Sequence, residues 1–249
     1  MMKGYEELAI DNFVKSGKRN GWWSKMTAIY VPMWRNQETR ATINWITQTA
    51  DASFTDCIFS NGFAKTSGAT EYMDLGFAPD DFALDSLSIG VFLLSQSSST
   101  TQTLLMGASG GSGQETIFQY SYPDTDFEFI HANDVAAGKV ETTSNPVGAD
   151  TKGFFLANRN GTTREIIRQS AGGITVLQQD TGEADSGALD SNNFYLGALN
   201  DGGTAVDFTA MSFSLVTLGD GLSEEERNIF CYDCYNLVDA LYSGGVSFP

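Results

Sequence analysis

From about Phe54 onward, apolar residues arrive in short bursts separated by turn signals. The bursts are EYMDLGF, LSIGVFLLS, QTLLMGA, ETIFQYSY, DFEFIHA, KGFFLANR, TTREIIRQ, GITVLQQ, NFYLGAL and AVDFTAMSFSLVTLG. A recurrence of roughly 8–12 residues is the rhythm of an all-β sandwich. Asn160-Gly161, between two such runs, is a strong signal for a tight hairpin, and Gly172-Gly173 marks a second. Ser95–Thr101 and Gly107–Gly113 read as flexible connections.

Both ends break the strand rhythm. Tyr5, Leu8, Ala9 and Phe13 recur at helical spacing, which predicts a helix over Tyr5–Ser16 stopped by Gly17. The stretch GWWSKMTAIYVPMW then holds a strand apolar on both sides. Met26, Ala28, Tyr30 and Pro32 lie on one face and Ile29, Val31 and Met33 on the other, the pattern of a doubly buried strand. Glu38–Thr47 is a helical turn or an irregular excursion. At the other end, Ser223 precedes Glu226 by the capping-box interval, and Glu224 and Glu225 suit the positive end of a helix dipole. Phe230, Cys234, Leu237, Val238 and Leu241 form one apolar stripe, predicting a closing helix over 223–242 docked on the sheet's end or edge. A partner surface in an oligomer is the alternative use of that stripe.

The chain of 249 residues is 41% hydrophobic and 12% aromatic, with 26 glycines and 5 prolines. That is enough apolar matter for a substantial core and enough glycine for many tight turns. No linker or repeat divides it. The expected fold is a two-sheet antiparallel jelly-roll sandwich with short N- and C-terminal helices, in one structural domain. Residues 1–50 form an anchoring segment, and 51–249 form the sandwich with its closing helix. Expected inward-facing residues are Phe92, Leu94, Ile117, Phe155, Ile166, Val176, Tyr195, Phe208, Phe213 and Leu215.

Charge narrows the partners. The net charge of −17 repels phosphate backbones and anionic lipid, so nucleic acid is not an expected partner. No apolar run is long enough for a membrane span, and the acidic N-terminus does not read as a signal peptide. Synthesis in a reducing compartment such as a cytoplasm is the expectation. Three cysteines, Cys57, Cys231 and Cys234, do not make a disulfide framework.

Candidate chemistry is sparse. The sole histidine, His131, closes the run DFEFIH with no nucleophile motif near it, and it reads as a strand-end residue. Cys231 and Cys234 have C-x-x-C spacing but fall on the apolar stripe of a helix, where cysteine serves as a small hydrophobe. Asp124, Asp126 and Glu128 alternate on one strand face, as in the E-x-D-x-E strand of laminarinase-type jelly-roll glycosidases. Retaining hydrolysis needs carboxyls about 5–5.5 Å apart, whereas alternate strand positions lie roughly 6.6 Å apart. Asp124 is a methylene short, and inward Phe127 and Phe129 account equally for outward acids. All four tryptophans, Trp22, Trp23, Trp34 and Trp45, precede residue 46 and read as packing for the N-terminal segment. Asn192, Asn193, Asn200 and Asp201 could line a glycan or calcium site, although Asn-Asp-Gly-Gly is first a turn sequence. GASGGSG lacks the lysine of a phosphate loop. No catalytic, cofactor, metal or glycan-binding residue is assigned on these grounds.

Several frames resemble tailed-bacteriophage virion proteins with a concanavalin A-like (laminin-G-like) jelly-roll domain. Phe13-Val14 … Gly21-Trp22-Trp23-Ser24-Lys25-Met26 … Ile29-Tyr30 is similar to their opening, and Tyr72-Met73-Asp74-Leu75-Gly76-Phe77-Ala78-Pro79 to an internal strand. Leu75 stands where a threonine is expected. Tyr195-Leu196-Gly197, Met211–Leu218 and Gly219-Asp220-Gly221-Leu222-Ser223 with Glu226 resemble their close. The resemblance spans nearly the whole chain but concerns scaffold. It implies a non-enzymatic virion component, namely a capsid decoration, head fibre or tail-associated protein, that could aid host-surface attachment. Implied partners are other capsid or tail proteins, further copies of the chain, and a host-surface glycan. A lectin-like glycan-binding adhesin is the alternative, and a glycoside hydrolase using Asp126 and Glu128 is the third reading. No cofactor is implied.

Overall fold

A computed structural model describes residues 4–32, 38–60, 63–66, 69–96, 103–110, 115–121, 126–130, 139–142, 152–181 and 188–243. The chain opens with helix α1 (Gly4–Asn20), a 3-10 turn at Trp22–Lys25, strand β1 (Met26–Tyr30) and the single turn α2 (Glu38–Ala41). Short strands β2 (Ser53–Thr55), β3 (Ile58–Ser60), β4 (Phe63–Lys65) and β5 (Tyr72–Asp74) follow. Then come β6 (Ser86–Gln96), β7 (Thr103–Ser109), β8 (Glu115–Ser121), β9 (Asp126–Ile130), the short β10 (Lys139–Glu141), β11 (Gly153–Asn160), β12 (Thr163–Ser170) and β13 (Gly173–Thr181). After β14 (Tyr195–Leu196), β15 (Leu199–Asp201), β16 (Thr204–Val206) and β17 (Met211–Gly219), helix α3 (Glu224–Ser243) closes the fold.

The strands form two sheets packed face to face in a jelly-roll sandwich. One has the order β13-β12-β11-β6-β17-β4-β3, with β1 also on β17; the other has the order β10-β9-β8-β7-β14-β5-β2, with β15 and β16 attached. Pairs are antiparallel except β15 with β7. The core between the sheets holds Leu87, Ile89, Val91, Phe118, Phe129, Phe155, Ile166, Phe213 and Val216. The first sheet is buried on its outer face too. There Phe92, Leu94, Phe154, Leu156 and Leu215 meet Phe13, Trp22, Phe230 and Leu237 from the helical layer. The closing helix therefore covers a sheet face, not the expected end or edge.

That double burial sorts the expected inner residues. Phe155, Ile166 and Phe213 face the sandwich interior. Phe92, Leu94 and Leu215 face the helices. Ile117 belongs to a cluster outside the second sheet, and Val176 is 40% exposed. Strand β1 is doubly buried as its composition implies, but a bulge between Met26 and Ala28 moves Met26 to the helix side, away from Ala28 and Tyr30. Ser95 and Gln96 belong to β6, and Gly107–Ser109 to β7, so these parts of the two expected connections are strand, while residues 97–101 and 111–113 lie outside the described residues.

Gly17 does not stop α1. It lies inside the helix, where an added Cβ would come within 2.6 Å of the Trp22 ring. The glycine is there for close approach, and the left-handed residue after the helix is Gly21, at φ 88°. Leu8, expected on the apolar face, is 59% exposed, because α1 docks through Phe13 and Gly17. The two glycine turns hold. Gly161, at φ 64°, joins β11 to β12, and Gly173, at φ 106°, starts β13.

Helix α3 enters through the expected capping box. The Ser223 backbone N–H donates to Glu226 Oε2 at 2.9 Å, and the Glu226 N–H donates to Ser223 Oγ at 3.4 Å. Asn158 on β11 then pins the entry. It donates to the Leu222 carbonyl at 3.0 Å and accepts from the Leu222 N–H at 2.9 Å. Beside it, Arg227 makes a buried ion pair with Glu165 of β12.

Candidate functional site

The outer face of the second sheet carries no helix among the described residues, and its surface is set by strand alternation. Phe118 and Phe129 face the interior as a cross-strand pair. Gln119 and Glu128, the next pair, therefore lie on the outer side, where both are buried at 8% and 7% exposed, and the Gln119 amide donates to the Glu128 carboxylate. Glu141 of β10, exposed, pairs directly with Glu128 of β9. The acids expected to point outward because their phenylalanine neighbours point inward do so at Glu128. Of the other two, Asp126 pairs with Ser121 by backbone register. Asp124, His131 and Trp34 lie outside the described residues.

The middle of this face is apolar. Leu104, Ile117 and Ile130 form a band across β7, β8 and β9, with Leu199 packed on it. Leu199 comes close to Gly107, where an added Cβ would lie 2.9 Å from its Cδ1.

The far end is aromatic. Met73 and Leu196 point into the core, so Tyr72, Asp74 and Tyr195 point out. The Tyr72 and Tyr195 rings stack at 4.4 Å and 25°, with Phe208 6.4 Å from Tyr72. Tyr195 is 8% exposed and Tyr72 half-buried, so Tyr72 presents its ring and Tyr195 supports it. Burial, helped by Tyr72 and the Asp74 charge, pushes the Tyr195 hydroxyl up to about 12. Asp74 is fixed by Asn193 Nδ2 at 3.0 Å and by the Gly76 N–H at 2.9 Å.

The loop residues singled out from sequence gather here. Asn192 donates to Asp190 Oδ1 at 3.0 Å and to the Ser109 carbonyl at 3.1 Å. Asn200 donates to the Asn193 carbonyl at 2.9 Å and accepts from the Gly203 N–H at 2.9 Å. Asp201 is exposed at the hairpin tip. These amides hold one another and the β14–β16 loop in place beside the aromatic end. Among the described residues no three His, Cys, Asp or Glu side chains converge as metal ligands. Tyr195 and Phe208, expected from sequence among the inward-facing residues, pack instead with Tyr72 on the outer side, and none of the three was read from sequence as a site residue. The available signal was the matched phase of Tyr72-Met-Asp74 and Tyr195-Leu196, which sets aromatic and acid on one face once the strands are paired.

The remaining sequence candidates are structural. Trp22 is fully buried, its ring 5.0 Å from Phe13 and 4.9 Å from Phe230, and its Nε1 donates to Asp233 at 2.9 Å. Trp23 and Trp45 pack against the same cluster. Cys231 and Cys234 are fully buried, and burial pushes both thiols well above their ordinary range. That is the opposite of what a metal or redox thiol needs. One feature had no sequence signal. Arg159 and Arg164 face each other across β11–β12 on the interior side, fully buried, and burial brings Arg159 down to about 10.

No family model and no curated protein sequence matches this chain. Solved structures do match it in shape. A mutant of Trypanosoma rangeli sialidase displaying trans-sialidase activity superposes with TM-score 0.60 at 11% identity, covering 93% of this chain and 39% of that one. Trypanosoma rangeli sialidase in complex with sialic acid gives 0.59 at 11% identity, covering 91% and 39%. The Ruminococcus gnavus IT-sialidase CBM40 bound to α2,3-sialyllactose gives 0.48 at 16% identity, covering 71% and 96%. This chain thus spans about two-fifths of the sialidase length. What the sialidase superpositions establish is the fold, an all-β jelly-roll sandwich with two antiparallel sheets.

Proposed function

We propose that the chain is a non-catalytic carbohydrate-binding sandwich that reads a glycan at the Tyr72 end of the outer face of its second sheet. The observation that carries this reading is the Tyr72 ring, backed by buried Tyr195 and flanked by the fixed carboxylate of Asp74. A sugar ring offers an apolar C–H face and a rim of hydroxyls. An aromatic platform beside orienting acceptors suits both. The superposed sialidase holds sialic acid, which for this chain is an analogy of fold only.

Binding without turnover is favoured by the state of the groups on this face. Sialidases use a tyrosine nucleophile, and a nucleophile is activated by an adjacent base or a lowered pKa. The Tyr195 hydroxyl is instead driven up by burial. As the setting, we propose the outer surface of a tailed-phage particle. The sequence resemblance supports this, and so does the packing of its opening and closing frames into one unit through Phe13, Trp22 and Phe230. Peptide mass spectrometry of purified particles tests the setting.

The test of function is a panel of neutral, amino and acidic glycans probed with the purified chain. At least one should bind, Tyr72→Ala should weaken it about tenfold or more, near 1.4 kcal/mol, and no reducing sugar should appear. Turnover abolished by Glu128→Gln, or binding untouched by Tyr72→Ala, would overturn the reading.

A further inference from the structure

The first sheet ends on β13, and among the described residues no strand pairs with its outer edge. Proteins usually blunt such an edge with charge or proline, because its unpaired backbone groups recruit other strands. From Ser170 to Gln179 this edge carries neither. Ile174 and Val176 are 39% and 40% exposed. They sit across from Gln169 and Ile167, and Ile167 faces the helices, so both exposed side chains lie on the helix-bearing side. Tyr232 of α3, 59% exposed, stands on that side too. A groove of about 350 Å3 runs between them, lined by Ser170, Gly173, Ile174, Asn228, Tyr232 and Tyr235.

We propose that β13 pairs antiparallel with β13 of a second copy of this chain, across a two-fold axis through Thr175. Self-complementarity selects the occupant and the register. With Thr175 on the axis, Ile174 faces Val176 of the second copy, and the axis repeats the pair, so four exposed aliphatic side chains cover one another. Asp180 then falls opposite Ser170, and no like charges meet. Moving the axis to Val176 would set Ile174 against Gln178 and lose both pairs. The bulge beside Leu177 twists the strand beyond it, which limits regular pairing to the stretch centred on Thr175. Charge points the same way. Two chains of net charge −17 repel across most of their surface, and this edge is a long uncharged strand through which they can touch.

Antiparallel edge pairing puts the two-fold perpendicular to the sheet. Both helical layers then lie on one side and both second sheets on the other. If the outer face of the second sheet binds glycan as proposed above, the dimer presents two sites in one direction, and surface-attached glycan is held by avidity.

Sedimentation equilibrium without glycan tests the pairing, using wild type, Val176→Lys and Thr175→Cys. Wild type is expected at twice the mass of one chain, more completely as salt screens the repulsion. Val176→Lys is expected at the single-chain mass with an unchanged circular dichroism spectrum. Thr175→Cys is expected to give a covalent dimer on mild oxidation, since paired Cα atoms about 4.5–5.5 Å apart suit a disulfide. A Thr162→Cys control at the exposed hairpin turn should not. Monomeric wild type at its solubility limit, a dimer that survives Val176→Lys, or a folded Thr175→Cys that does not cross-link would each overturn the proposal. Glycan affinity in solution should be the same for wild type and Val176→Lys, so failure of glycan binding and failure of dimerisation are read separately.

Discussion

Phe230→Ala removes the side chain on which the helical layer is built. Phe230 is fully buried, with Trp22 at 4.9 Å and 59° and Phe154 at 5.7 Å and 85°. It therefore ties α3 to the N-terminal segment and to the sheet at once. Truncating a buried phenylalanine costs about 3–5 kcal/mol, and two lost ring contacts of about 0.5–1.5 kcal/mol each place this site in the upper half of that range. At roughly 2–4 °C per kcal/mol for a chain of this size, the melting temperature should fall by about 10 °C or more. Urea denaturation followed by tryptophan fluorescence measures the loss, because Trp22 lies in the same cluster. Asp239→Ala, on the exposed side of α3, is the control and should stay within about 0.5 kcal/mol. A loss below about 1 kcal/mol for Phe230→Ala, or one equal to the control, would show that α3 is not docked as described.

Other substitutions probe single contacts. Arg227→Gln strands Glu165 in a buried site and should cost about 3–5 kcal/mol at neutral pH. Burial already raises the Glu165 pKa and the Arg227 charge opposes the rise. Without Arg227 the folded carboxyl takes up its proton before the unfolded one, so the variant should recover part of its loss as pH falls from neutral towards 5 in denaturant titrations. Gly17→Ala should destabilise α1 even though alanine is the better helix former, because its Cβ would lie 2.6 Å from the Trp22 ring; a thermal melt at or above wild type would refute that packing. Cys231 and Cys234 should resist thiol reagents until the protein unfolds, whereas half-buried Cys57 should react first.

What the sequence made legible was local. The Ser223–Glu226 cap, the Asn160-Gly161 hairpin and the doubly apolar β1 each announce themselves within a few residues, and each is present. What stayed hidden depends on distant partners. Phe92 and Leu215 face helices and not the second sheet, because a strand buried on both sides has no alternation to reveal which apolar neighbour lies where. Gly17 looks like a helix stop until Trp22 is seen against it. Tyr72 and Tyr195 meet only because β5 and β14 pair. Asn192, Asn193 and Asn200 were found as a group, but their amides brace the loop next to that pair. Glu128 points outward as alternation requires, while its hydrogen bond to Gln119 comes from the neighbouring strand.

The central claim is that the Tyr72 end of the second sheet's outer face is the binding surface. Amide chemical-shift mapping during titration with a glycan selected from the panel tests it most directly. The account predicts perturbations at Tyr72, Asp74, Asn193, Tyr195 and Phe208, with α1 and α3 unmoved. Perturbations confined to the helical layer, or none with any glycan of the panel, would contradict it.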